Sequence, residues 1–130
     1  MKYGRSMNVL KSKWFNKWAR KARISDRILV AAVDAIDESS VVDLGSGLCK
    51  LRLARQHQGK SGGFRTIVIY RKGNLALFVL GFAKNERDNI GASDLTDLKK
   101  QAKHILQFSR KQIEQLIKKG TFVEVEVNNE

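Results

Sequence analysis

The chain has 130 residues, enough for one domain with a real hydrophobic core but not for two. Its hydrophobic content of 42% excludes a disordered tail, and its single cysteine excludes an internal disulfide and favours a reducing, cytoplasmic location. The 25 basic and 13 acidic residues give a formal net charge of +12, so we expect a polyanionic partner: nucleic acid, an anionic membrane or an acidic protein.

The N-terminal part of the chain predicts a strand followed by two helices. Residues 1–6 are expected to be a loose extension, and Met7–Ser12 alternates weakly, as a short strand would. A helix from Ser12 has an apolar and a basic face, and we interpret it as packing on the core rather than lying on a membrane or acting as a transit peptide. Ser25 is a good N-cap for a second helix, predicted from Asp26 to about Ser39.

The middle of the chain predicts an antiparallel meander of three strands. Residues 49–53 alternate apolar and basic side chains, which predicts one buried face and one basic face. Phe64–Arg71 is rich in β-branched and aromatic residues, and the Lys-Gly-Asn sequence at 72–74 predicts a hairpin turn into Leu75–Phe82. Because Leu75–Phe82 is apolar on both faces, we expect it near the centre of the sheet.

Two glycine-containing segments are interpreted as turns rather than as cofactor loops. Residues 41–47 (VVDLGSG) are similar to the cofactor loop of methyltransferases, but that loop follows a strand and opens a helix, the reverse of the order expected here. The segment Gly59–Ser61 does not complete a P-loop, because Ala54 stands where that motif requires glycine. One cysteine and two histidines fit no zinc spacing. We therefore expect no cofactor and no metal.

The last third of the chain predicts two helices and a strand or tail. Ser93 is the expected N-cap of the third helix. Ser109 and Gln112 have the spacing of a capping box for a short fourth helix, which Gly120 ends. Residues 121–130 alternate and predict an edge strand or a tail that orders on a partner. The whole chain is therefore expected to be a single α+β domain.

The residues that carry chemistry are cations in a stretch without acids. Leu44–Asn85 contains eight basic side chains and no acidic one. Lys50 and Arg52 project from one strand face about 6.6 Å apart, and Arg65 opens the next strand after the Gly62-Gly63 pair. Together they suit a phosphodiester and the negative charge that develops when it is attacked. The alternative is a surface that binds phosphate without chemistry.

Three sequence blocks, in this order, resemble the signature blocks of RelE/ParE-superfamily toxins from bacterial toxin–antitoxin pairs, most of all the HigB-like branch. The blocks are Lys50–Arg55 (KLRLAR), Gly59–Thr66 (GKSGGFRT) and Gly81–Ile90 (GFAKNERDNI). The resemblance extends from about Met7 to Lys103. It implies two N-terminal helices packed on a small curved antiparallel sheet, with C-terminal helices.

The resemblance also implies an activity and a partner. It implies ribosome-associated mRNA cleavage by attack of a 2′-hydroxyl on the adjacent phosphate, without metal, and control by a helix-turn-helix antitoxin. Lys50 and Arg52 match the family's paired basic residues, Arg65 its phosphate-stabilising arginine, and Lys84 and Arg87 the basic positions of the last block. Three further cations are expected to contact RNA: Arg55, Lys60 and Arg71.

The chain departs from the best-known members at Asn85 and Ile90, where they carry an arginine and a tyrosine. The general base is therefore unassigned, with Tyr70 as a substitute that we expect to pack in the core and His57 as a weak candidate. Two other hypotheses stay open: a non-enzymatic, ParE-like gyrase inhibitor and an inactive basic RNA-binding module.

Overall fold

The computed structural model describes residues 8–36, 41–53, 63–84 and 90–126. The elements in chain order are β1 (Asn8–Ser12), α1 (Lys13–Lys21), α2 (Asp26–Asp34), β2 (Val41–Gly45), β3 (Leu48–Leu53), β4 (Phe64–Arg71), β5 (Leu75–Ala83), α3 (Ala92–Ile105), α4 (Arg110–Lys118) and β6 (Phe122–Glu124). This confirms the predicted α+β class. No helix in the described ranges is long and apolar enough to cross a membrane.

The six strands form one sheet in the order β2-β3-β4-β5-β1-β6. The meander from β2 to β5 is antiparallel, whereas β1 lies parallel to β5 and is covered on its other edge by the antiparallel β6. The central position predicted for Leu75–Phe82 is confirmed, because β5 is paired on both sides. Short hairpins or loops thus join β2, β3, β4 and β5, and the first and last strands, β1 and β6, complete the sheet.

Several helix ends follow from local chemistry. The Ser12 side chain accepts the Phe15 N–H at 3.1 Å and caps α1, and the Ser25 side chain caps α2. The predicted capping box of α4 is present, with the Ser109 hydroxyl accepting the Gln112 N–H and the Gln112 side chain accepting the Ser109 N–H. In each case a side-chain oxygen satisfies a first-turn N–H that has no partner within the helix.

Two predicted helix boundaries and one predicted turn were wrong. The third helix begins after Gly91, not after Ser93. The Leu95 N–H already donates to the Gly91 carbonyl, and the buried Ile90 fixes the chain just before Gly91. The second helix ends at Asp34 in a tightened turn, before the predicted Ser39. Val41–Gly45, interpreted as part of a turn, is the edge strand β2, and its hairpin turn uses positive φ at Gly45, Ser46 and Gly47.

Apolar side chains pack on both faces of the sheet. On one face, Phe15 and Ala19 of α1 and Leu29 and Val33 of α2 are buried together with strand residues such as Phe78. On the other face, Ala102 of α3 and Ile113 of α4 are buried with another set of strand residues, which comprises Leu10, Leu48, Ile67, Ile69, Leu75, Leu77, Phe82 and Phe122. We call these the α1/α2 face and the α3/α4 face.

One charged pair lies inside this packing. The Lys11 residue of β1 is only 7% exposed, and its Nζ lies 2.7 Å from Asp26 Oδ1 at the start of α2. The other carboxylate oxygen, Asp26 Oδ2, accepts the Glu126 backbone N–H at 2.7 Å. A single carboxylate therefore holds the first strand, the second helix and the segment after β6 together.

Candidate functional site

Two arginines face each other across neighbouring strands at one end of the α3/α4 face. Arg52 of β3 lies directly opposite Arg65 of β4 in the register of the sheet. Residues an even number of positions apart on a strand point to the same face of the sheet. Arg52 is four residues from Leu48 on β3, and Arg65 is two residues from Ile67 on β4. Because Leu48 and Ile67 belong to the α3/α4 core cluster, both arginines lie on the α3/α4 face. Their Cβ atoms are thus about 5 Å apart, which is typical of directly opposed residues. We call these two residues the arginine pair.

The neighbours of the arginine pair come from three strands. The buried Phe82 of β5 lies opposite Arg65 on the side away from Arg52. Lys50 lies two residues before Arg52 on β3 and opposite Ile67. Lys84 follows β5 at the same end of the sheet, where its backbone N–H donates to the Gly63 carbonyl at 3.1 Å. The structure therefore brings the predicted Lys50, Arg52, Arg65 and Lys84 to one end of the sheet.

The position of Phe82 beside Arg65 depends on a β-bulge. Next to the turn, Arg71 of β4 pairs with Leu75 of β5. If this register continued along both strands, Gly81 would lie opposite Arg65. The register shifts by one residue between Ile67 and Val68, so Phe82 takes that position instead. A bulge of this kind flips every later side chain to the other face. Phe82 was not among the site residues predicted from the sequence, because no local pattern marks the shift.

Among the described residues, no carboxylate compensates the arginine pair. The ion pair between Lys11 and Asp26 lies on the other face of the sheet and involves neither arginine. Like charges directly opposite each other on a sheet destabilise it by roughly 0.2–1 kcal/mol. An anion between the two guanidinium groups would remove this repulsion and would accept several charge-assisted hydrogen bonds. The arrangement is therefore suited to a phosphate group.

Other predicted site residues lie elsewhere or cannot be placed. Arg71 is on the same face but at the other end of β4, six residues from Arg65 or about 20 Å, and its guanidinium donates to the Leu106 carbonyl at 2.7 Å. Three predicted cations lie outside the described residues: Arg55, Lys60 and Arg87. The same holds for His57 and Asn85, whereas Ile90 is buried in the α3/α4 core cluster.

The tyrosine and the histidine that the structure describes are not beside the arginine pair. Tyr70 packs with the core cluster of the α1/α2 face, on the opposite side of the sheet from Arg65, so it is not the base for chemistry at that arginine. His104 is exposed on α3 and has an edge-to-face ring contact with Phe108. The expectation that Tyr70 would pack in the core is confirmed.

Cys49 is neutral at physiological pH. It is buried on the α1/α2 face of β3, and burial, with a smaller contribution from the negative charge of Asp43, raises the pKa of its thiol to about 11. A thiol in this state is neither a nucleophile nor a metal ligand. No group of histidine, cysteine and carboxylate residues in the described ranges is arranged to hold a metal ion.

Comparison with known proteins gives a family. A family model described as the RelE toxin of the RelE/RelB toxin–antitoxin system matches residues 7–125. The match spans almost the whole chain, including all four cations at the arginine-pair end of the sheet. No curated protein matches the chain.

Proposed function

Because the chain belongs to the RelE toxin family, we propose that it is a HigB-like mRNA endoribonuclease that acts at the ribosome and inhibits translation. The family consists of toxins that pair with an antitoxin. The observation that supports RNA chemistry is the arginine pair, whose two residues lie opposite each other on one face of the sheet and form no ion pair with a described carboxylate. The arrangement of the α1 and α2 helices on a curved sheet, as in RelE-like toxins, is part of this proposal.

The proposed reaction is attack of a ribose 2′-hydroxyl on the adjacent phosphate, without metal. In this step the phosphorus becomes pentacoordinate and its equatorial oxygens gain negative charge. The bond from phosphorus to the 5′-oxygen of the next nucleotide then breaks, and the proton lost by the 2′-hydroxyl is balanced by the proton that the leaving 5′-oxygen gains. The products are a 2′,3′-cyclic phosphate and a 5′-hydroxyl end. Arg65 would stabilise that charge, because it is the more enclosed member of the arginine pair and lies against Phe82. Arg52 and Lys50 would hold the phosphate or a neighbouring base, with Lys84 and Arg87 as supporting cations.

Expression of the chain without a partner tests this proposal. We expect growth arrest with loss of protein synthesis and new mRNA 5′-hydroxyl ends, mapped by primer extension. The Arg65→Ala variant should cut RNA about 10²–10³ times more slowly, comparable to the loss of one oxyanion donor. Lys119→Ala removes one exposed cation at the end of α4 and is the matched control. Unchanged cleavage in folded Arg65→Ala protein would place the chemistry elsewhere.

A ParE-like gyrase inhibitor is the second candidate function. It is favoured by one observation, that Tyr70 and His104 both lie away from the arginine pair, which leaves proton transfer unassigned among the described residues. Replication arrest with intact mRNA after expression would support this candidate and reject RNA cleavage. Normal growth at verified soluble expression would reject both and favour a basic RNA-binding module without activity.

The proposed partner is a helix-turn-helix antitoxin with an acidic, partly apolar segment. Helix α1 supports this because its outer face carries four exposed cations and Trp14, which is 50% exposed. These cations are Lys13, Lys17, Arg20 and Lys21. We expect complex formation to be accelerated by electrostatic steering and slowed by salt. Co-purification with the protein encoded next to it is the direct test, and failure to co-elute or to restore growth would reject that protein as the antitoxin.

A further inference from the structure

A second group of cations lies at the other end of the α3/α4 face, where β4 turns into β5. A cavity of about 140 Å³ opens between this turn and the junction of α3 and α4. Its wall includes the residues Asn8, Arg71, Gly73, Asn74, Phe108 and Arg110. None of the described lining residues is acidic. We call it the Arg71–Arg110 pocket.

The first arginine of the pocket is held in place by the fold. One terminal nitrogen of Arg71 donates to the carbonyl of Leu106, the C-cap of α3, at 2.7 Å. That carbonyl is one of the helix-end acceptors without an intrahelical partner. A guanidinium group has five N–H donors in a fixed plane, so this contact orients the group while most of its donors remain for another acceptor.

The second arginine is the first residue of α4 and is exposed. The capping box of Ser109 and Gln112 already occupies backbone donors of the first turn of α4. The attraction for an anion therefore comes from the Arg110 side chain and not from the helix end. Among the described residues, neither Arg71 nor Arg110 is paired with a carboxylate.

The size and chemistry of the pocket suit a tetrahedral oxyanion. A single water needs only about 10–15 Å³ of cavity volume, so the pocket has room for a phosphate group with some of its hydration. Two guanidinium groups supply the charge, and Asn74 and the backbone of Gly73 lie in the same wall. Planar guanidinium donors match phosphate oxygens in geometry as well as in charge.

We propose that the Arg71–Arg110 pocket is a phosphate-binding site that holds the backbone of an RNA strand away from the arginine pair. The separation along β4 is about 20 Å, so the two sites would contact different phosphates of one strand. The affinity of the pocket for a phosphate group does not depend on the proposed function. Only the identification of RNA as the molecule that carries this phosphate rests on the proposed function. RNA is the source favoured by the +12 charge of the chain.

Titration with inorganic phosphate tests the pocket itself. The full chain carrying Arg65→Ala, which weakens the competing arginine pair, is followed by two-dimensional NMR. We expect saturable shifts of the Gly73, Asn74 and Phe108 backbone amides. Arg110→Gln should weaken phosphate binding about tenfold or more, as expected for loss of a charge-assisted hydrogen bond. Lys111→Gln removes the neighbouring exposed cation, which does not line the pocket, and should leave binding unchanged.

The same variants distinguish a pocket from general electrostatic attraction. Shifts that never saturate, or equal weakening in Arg110→Gln and Lys111→Gln, would overturn the proposal. A second experiment measures binding of a 2′-O-methylated oligoribonucleotide, which cannot be cleaved by 2′-hydroxyl attack, at several salt concentrations. For a single strand, each lost phosphate contact makes the negative slope of log K against log salt shallower by about 0.7. We expect that change in Arg110→Gln and none in Lys111→Gln.

The two experiments separate failure of the pocket from failure of the proposed function. Neither involves cleavage, so a chain that does not cut RNA would still show both effects if the pocket binds RNA. Saturable phosphate binding with an unchanged oligonucleotide salt slope would overturn RNA as the source and leave free phosphate or a nucleotide as the ligand.

Discussion

Lys11 and Arg65 are both cationic side chains on strands of one sheet, and the fold places them in opposite surroundings. Lys11 is enclosed on the α1/α2 face, and its charge is matched by Asp26 at 2.7 Å. Arg65 lies on the α3/α4 face opposite another arginine, and no described carboxylate matches either charge. Lys11 thus contributes to holding the fold together, whereas we propose that the arginine pair keeps positive charge available for a ligand.

The largest effect on stability is expected at Lys11. Removing one partner of a buried ion pair costs about 3–5 kcal/mol, because the remaining charge is left without compensation. Since the Asp26 side chain is 23% exposed and water can reach it, we expect about 3 kcal/mol for Lys11→Met. Urea unfolding followed by circular dichroism measures this, with exposed Lys17→Met as the control expected within about 0.5 kcal/mol of the parent. Equal stability of the two variants would show that the pair contributes little.

A smaller effect of opposite sign is expected at the arginine pair. Arg52→Thr removes one of two opposed like charges and supplies a residue that suits a strand, so the free energy of unfolding should rise by about 0.2–1 kcal/mol. Salt supplies the control, because screening at about 1 M should abolish most of the gain. A loss of stability at low salt would contradict the prediction that Arg52 and Arg65 repel each other.

The third prediction concerns Cys49. The fold keeps this ionisable side chain in its neutral form, whereas it pairs the charged Lys11 with a carboxylate. Its folded pKa of about 11 lies above the ordinary value of 9.0, so the folded state holds the thiol proton more tightly than the unfolded state. The resulting stabilisation is fully present below pH 9 and is lost as the pH rises from 9 to 11. Cys49→Ala should remove this part of the pH dependence in unfolding experiments.

Reactivity gives a second measurement on Cys49. At pH 8 we expect the folded chain to react with a thiol-specific disulfide reagent far more slowly than free cysteine does, and to reach the rate of free cysteine in urea. Rapid modification of the folded chain would show that the thiol is accessible and ionised, which contradicts the burial described above.

The structure could be predicted from the sequence where contacts within a few residues decide it. Ser12, Ser25 and the Ser109–Gln112 box each satisfy a neighbouring backbone N–H, so these helix starts could be predicted from spacing alone. The bounds of β4 could be predicted for a similar reason, because β-branched and aromatic residues fill it and a Lys-Gly-Asn turn ends it. The basic face of β3 was also visible as a simple alternation.

Features that depend on distant partners could not be predicted. The burial of Lys11 requires Asp26, fifteen residues further along the chain, and nothing near Lys11 distinguishes it from the exposed Lys13. The bulge between Ile67 and Val68 decides whether Gly81 or Phe82 lies beside Arg65, and it leaves no local mark. The Arg71–Arg110 pocket brings together a hairpin turn and a helix junction, so its two arginines are far apart in the sequence.

The position of β1 between β5 and β6 has a consequence for the order in which the sheet assembles during synthesis. The meander from β2 to β5 can form as soon as its hairpins have left the ribosome, but β1, made first, has no neighbour until β5 appears. Its other edge then stays open until Phe122–Glu124 has been made. An open edge strand is a template for strands from other chains, so β6 acts as the closing strand that ends this exposure.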